Sequence, residues 1–126
     1  MTFKGKQVKV VIVGQAKEDY AELNRLVGEE TAKGITKSEH QTLFNSIKQK
    51  VEFLKENPEY GIHVEKRKIP KEYVLDYDAT NIWKVNLSGY WRMIYTIRGT
   101  EVDIIAVVLD ILDHKAYDKK FGYKSR

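Results

Sequence analysis

Apolar residues along the chain change period, and each change marks an element. Gln7 to Val13 is rich in β-branched residues and stops at Gly14, which predicts a largely buried strand. Ala16, Tyr20, Leu23 and Val27 then recur at spacings of four, three and four, one face of a helix with polar residues opposite. Gly28 and Gly34 bracket a connection whose start the pattern leaves open. A second helix is announced by Thr36 with Glu39 three residues on, a capping-box spacing in which each side chain satisfies a free N–H of the first turn. Its stripe is Leu43, Ile47, Val51 and Leu54, with Phe44 beside it. Asn57-Pro58 closes it, because proline disfavours helical geometry in the residue before it.

From Glu59 to Asn81 the pattern weakens: Lys68-Ile69-Pro70-Lys71 interrupts any regular element, and Tyr73 to Thr80 reads as loop or ragged strand. Alternation returns at Ile82 to Leu87, followed by a turn signal at Ser88-Gly89. Trp91, Met93, Tyr95 and Ile97 then form a core face, alternating with Tyr90, Arg92, Ile94 and Thr96. A second turn at Gly99-Thr100 leads into the apolar strand Val102 to Leu109. The predicted fold is α+β over a single domain, 1–126. It has an N-terminal strand, an antiparallel helix pair on a sheet, a three-stranded antiparallel meander, and a short C-terminal helix or tail from Asp113 to Tyr123.

Composition agrees with a packed domain: 42% of the 126 residues are hydrophobic and 32% charged. The absence of cysteine rules out a disulfide scaffold and thiolate zinc sites and fits a reducing compartment. The run Val10 to Val13 is too short to span a membrane and lacks a signal-peptide cleavage site, so the expected location is cytoplasmic. The net charge of +4, from 22 Lys+Arg against 18 Asp+Glu, says little, but its distribution says more. Lys66, Arg67, Lys68 and Lys71 cluster mid-chain, and Lys115, Lys119, Lys120, Lys124 and Arg126 crowd the C-terminus. The acids gather in the helices, at Glu18, Asp19, Glu22, Glu29, Glu30, Glu52 and Glu56. A fold that separates the two groups presents one cationic side to a polyanion. The plainer alternative is scattered, solvated lysines.

The residues narrow the chemistry. His40, His63 and His114 are the only histidines and show no metal-ligand spacing; there is no glycine-rich phosphate loop and no nucleophile-elbow serine. What remains is a set of cations with a His and a Tyr, which suits cleavage of RNA by its own 2′-hydroxyl. That reaction asks the protein to orient the backbone, neutralise developing charge and move two protons, with neither metal nor cofactor. Arg92 is the first candidate, on the strand face opposite Trp91 and Met93. A two-residue Ser88-Gly89 loop sets Val85 beside it, and a slip of one brings Lys84 there. His114 and Tyr117 share a face if the tail is helical. Imidazoles exchange protons near neutral pH, and Asp113 stands next in sequence to modulate this one. Tyr117 and Phe121, four apart, serve equally well as a hydrophobic pair that tacks the tail down.

The segment Asn81 to Tyr95, NIWKVNLSGYWRMIY, resembles the W-x-[KR] … [WY]-R-[LM]-[IV]-Y core of the RelE/ParE toxin superfamily. The following VDIIAVVLDILDHKAYDKKFGY is similar to the ending of RelE-like members, where a hydrophobic strand runs into a His or Arg and a nearby Tyr. The resemblance extends from about Val8 to Tyr123. It implies a toxin that cleaves mRNA on the ribosome and is silenced by a cognate antitoxin. By matching position it implies that Arg92 stabilises the phosphate and that His114 or Tyr117 transfers the proton. It also implies that Lys66, Lys68 and Lys71, the basic residues before the meander, hold RNA and help activate the nucleophile; Arg67, Lys84, Lys115 and Lys119 are further RNA-binding candidates by their charge. The chain departs from the pattern by extra residues around Glu59 to Thr80 and by two residues between His114 and Tyr117, and only Glu65 or Glu72 could stand for a glutamate base. The alternatives in the same superfamily are a ParE-like inhibitor of DNA gyrase that cuts nothing, and a degenerate module that only binds an antitoxin.

Overall fold

The computed structural model describes residues 2–123, so Lys124 and Arg126 of the terminal basic cluster lie outside the described residues. In chain order the elements are β1 (Thr2–Phe3), β2 (Lys6–Ile12), α1 (Gly14–Ala32), α2 (Glu39–Glu56), β3 (Ile62–His63), α3 (Lys71–Tyr77), β4 (Trp83–Asn86), β5 (Arg92–Gly99), β6 (Asp103–Leu112) and α4 (His114–Phe121). They build a mixed α/β structure around one sheet of order β1-β2-β6-β5-β4-β3. β4, β5 and β6 pair antiparallel, while β2 runs parallel to β6, with Val8 opposite Ile104 and Ile12 opposite Val108.

The sheet is covered on both faces. On the first, α1 and α2 bury Ala16, Leu23, Leu43, Phe44, Ile47 and Leu54 against Val85, Met93, Tyr95, Ala106 and Val108. Tyr20, Val27, Val51, Trp91 and Ile97 close the rim of this cluster. On the second face, Val64, Tyr73, Ala79 and Tyr117 pack on Ile82, Ile94, Val107 and Leu109. Ile94 and Thr96, expected on the strand face opposite the core, are both buried: Ile94 lies in the cluster with Tyr73 of α3 and Tyr117 of α4, and the Thr96 hydroxyl donates to the Asn81 carbonyl at 2.6 Å.

Three local expectations need correction. The cap of α2 is Ser38, not Thr36: the Ser38 hydroxyl accepts from the Gln41 amide at 3.1 Å, and the helix starts at Glu39. The stretch read as loop or ragged strand overlaps the seven-residue helix α3, whose inward side is only the buried Tyr73 and the half-buried Tyr77, too short a stripe to stand out. β2 is not largely buried either. Val8 is buried, but Gln7, Lys9 and Val11 are open, because the second-face helices do not reach over this strand.

Two details of β5 and β6 position the site. Trp91 carbonyl accepts from the Leu87 amide at 2.8 Å, and Asn86 pairs with Arg92, so the connection is one residue longer than the Ser88-Gly89 loop. Both residues expected opposite Arg92, Val85 and Lys84, instead face Met93 and Ile94. Gly89 and Tyr90 take left-handed conformations, φ +71° and +64°, to make this turn. A β-bulge then shifts the register between Ile94, opposite Asp110, and Tyr95, opposite Val108. The extra residue, Leu109, lets Asp110 share its face rather than the large core.

Candidate functional site

The sequence candidates converge where β4, β5 and α4 meet on the second face. α4 forms because Asp113 caps it, its Oδ1 accepting from the Ala116 amide at 2.8 Å, and it ends at Gly122, whose φ of +77° reverses the chain. Basic Lys119 and Lys120 fall in its last turn, where the helix dipole favours cations. His114 thereby starts the helix and Tyr117 lies one turn on. Both reach Arg92, the first residue of β5.

The Arg92 guanidinium carbon lies 4.6 Å from the centre of the Tyr117 ring, a cation–π stack. Its Nη1 donates to the Tyr90 carbonyl at 3.1 Å and stands 3.5 Å from His114 Nδ1. Its Nε is buried and has no hydrogen-bond partner among the described residues. From β4, the Lys84 ammonium donates to the Tyr117 hydroxyl at 3.1 Å and sits 5.2 Å from the ring centre. His114 Nε2 approaches Asp118 Oδ2 at 3.3 Å, and the imidazole remains mostly exposed. Two cations, a phenol and an imidazole thus meet within contact distance.

Tyr117 is the least accessible member, 3% exposed, with Phe121 stacked at 4.5 Å and Tyr123 at 5.9 Å. Burial pushes its phenol up to about 12; the Tyr123 hydroxyl adds to the rise and the Arg92 charge opposes it. Near neutral pH Tyr117 therefore keeps its proton, acts as acceptor for Lys84 and serves as a platform for Arg92. His114 is the member most open to solvent.

The remaining basic candidates do not enter this cluster. Lys66, Arg67 and Lys68 form an exposed single turn between β3 and α3, with Arg67 paired to Glu65 at 2.9 Å. Lys71 opens α3, exposed, and Lys115 and Lys119 lie on the outer side of α4. Glu65 and Glu72 form no hydrogen bond to Arg92, His114 or Tyr117. Glu72 instead lines a shallow hollow with Lys119 and Lys120. Among the described residues no group of three His, Asp or Glu is arranged to hold a metal ion.

Sequence reasoning missed a second group beneath α4. Asp110, 5% exposed, accepts at one oxygen from the Tyr73 hydroxyl and from Lys120 Nζ, both at 2.9 Å. An acid inside the apolar run of β6 was the available signal. A cavity of about 430 Å³ runs from Leu23, Leu43, Ile47 and Trp91 to Asp113 and Ala116 at the start of α4, and its wall contains no Lys or Arg.

No protein family's sequence profile matches the chain, and no solved structure matches it. The chain is similar to the 5-methyltetrahydropteroyltriglutamate–homocysteine methyltransferases of two Buchnera aphidicola subspecies. It is 27% identical to the Schizaphis graminum protein and 28% to the Acyrthosiphon pisum protein, each over 109 residues. Each match takes in 69% of this chain and spans 14% of the methyltransferase. No helix among the described residues is long and apolar enough to cross a membrane.

Proposed function

We propose that this chain is a metal-independent endoribonuclease, a RelE-like toxin that cleaves mRNA on the ribosome and is held in check by an antitoxin. The observation that carries the reading is the convergence of Arg92 and Lys84 on Tyr117, with His114 beside the Arg92 guanidinium. In the reaction, the 2′-oxygen of the substrate bonds to the adjacent phosphorus and the P–O5′ bond breaks. The products are a 2′,3′-cyclic phosphate and a 5′-hydroxyl. One proton leaves the 2′-hydroxyl and one is delivered to the departing 5′-oxygen, and exposed His114 serves one of these transfers. Arg92, stacked on Tyr117 and with Nε unspent, supplies donors to the non-bridging oxygens as charge develops there, and Lys84 adds a second cation. Tyr117 holds both cations in place. The strand, helix pair and meander are read as the RelE-like scaffold, to which β1, β3 and α3 are additions. An acidic antitoxin would cover the cationic face or displace α4. The partial likeness to the methyltransferases supports no catalytic reading, since it spans so little of those proteins.

One observation favours a second reading, a ParE-like or degenerate module that binds without cutting: Tyr117 is buried under Phe121 and beside Tyr123, as a purely structural residue would be. Incubation with mRNA in a translating extract separates the two. The nuclease reading expects fragments ending in 2′,3′-cyclic phosphate and 5′-hydroxyl, formed by the wild type and lost with Arg92→Ala. Intact mRNA with wild-type protein would abandon it for the binding reading.

A further inference from the structure

We infer that the β4–β5 turn carries a nucleobase subsite, in which Tyr90 stacks on an unpaired base of a single-stranded RNA and Asn86 meets its edge. The inference rests on the nuclease reading and adds to it a residue that the resemblance did not supply. Tyr90 is 78% exposed, a large aromatic at the tip of a turn and outside both core clusters. Its φ of +64° is unfavourable for any side chain other than Gly, Asn or Asp, and such backbone strain gathers at functional positions. The strain is held by the site itself, because the Tyr90 carbonyl accepts from Arg92 Nη1 at 3.1 Å. The ring centre lies 6.2 Å from that of His114.

Beside the ring is an open hollow of about 600 Å³, lined by Asn86, Leu87, Gly89, Tyr90, Trp91 and Arg92, roomy enough for a base. Asn86 is exposed on the strand neighbouring Arg92, and its amide offers both donor and acceptor to a base edge. A nucleotide whose phosphate lies on Arg92 has a base within reach of this hollow. Stacking on an aromatic is how single strands are gripped when their bases are splayed out. Leu87 and Trp91 supply the hollow's apolar floor.

The test uses the wild-type chain and two variants with labelled 2′-O-methyl oligonucleotides, which cannot be cut, and a matching strand with abasic sugars. Tyr90→Gly removes the ring while relieving the left-handed backbone, so loss of folding does not cloud the result. Tyr90→Trp keeps a stacking surface. The wild type should bind the base-bearing strand on the order of tenfold more tightly than the abasic one. Tyr90→Gly should erase that preference while keeping the affinity for abasic strand, and Tyr90→Trp should retain it. Equal preference in Tyr90→Gly and wild type would overturn the subsite and leave the nuclease reading standing. A wild type that ignores bases altogether would also overturn it, while cleavage in the translating extract is judged separately.

Discussion

Replacing Asp110 by alanine removes the acceptor shared by Tyr73 and Lys120, and the structure says how much each partner should suffer. Tyr73 is 1% exposed, so its hydroxyl is stranded without water, at a cost of about 1–3 kcal/mol for an unsatisfied buried donor. The Lys120 side chain is 28% exposed and can turn its ammonium outward, so its loss is smaller, nearer 1 kcal/mol. The single substitution should therefore cost about 2–4 kcal/mol, a large part of a typical domain's stability. Tyr73→Phe in that background removes the orphaned hydroxyl. Since apolar replacement of both partners is close to neutral, the double variant should recover at least about 1 kcal/mol. Chemical denaturation of wild type, both singles and the double gives the cycle directly. A cost for Asp110→Ala below about 0.5 kcal/mol, or strictly additive singles, would refute the claim that this buried acid ties α3 and α4 to the sheet.

Other consequences can be checked alongside. A Cβ on Gly61 would sit 2.7 Å from the Lys84 carbonyl and 2.7 Å from the Tyr95 hydroxyl, so Gly61→Ala should destabilise by about 1–3 kcal/mol in thermal melts; an unchanged melt would contradict the close approach. Burial pushes the fully buried Tyr95 phenol up to about 12 from its ordinary 10.0. The folded form holds that proton more tightly, so its stabilising contribution is complete below pH 10 and is lost as pH rises from 10 through 12. The shift is worth on the order of 3 kcal/mol, visible as a steep alkaline decline in denaturation midpoint that Tyr95→Phe should soften. Under the nuclease reading, Arg92→Ala or His114→Gln should lower the cleavage rate by about two decades or more with circular dichroism unchanged, whereas Tyr117→Phe, which keeps the stacking ring, should lose less. Full activity in both Arg92→Ala and His114→Gln would mean the site lies elsewhere.

What could be read from the sequence follows the strength of its periodicities. The stripes Ala16–Leu23 and Leu43–Leu54 are buried as their spacing demands, because a helix on a sheet hides one continuous face. α3 was illegible because Val74 and Leu75, apolar in a short helix, face solvent, and its inward side is only Tyr73 and the half-buried Tyr77. The second layer over Ile94 was hidden for the same reason. Arg92, His114 and Tyr117 were found from residue type and spacing, and they do meet. The Asn86–Arg92 register depended on the left-handed Gly89 and Tyr90, and a tyrosine in that conformation has no signature in the chain. Asp110 and Lys120 are ten residues apart and join only because a bulge turns the acid to α4.

The central claim is that the Arg92 cluster cuts mRNA. Primer extension on cellular mRNA, after induction of the wild type and separately of Arg92→Ala, tests it most directly. New cuts inside translated frames with the wild type, absent with the variant, are the predicted result. Growth arrest with uncut mRNA, or the same cuts from both proteins, would contradict it.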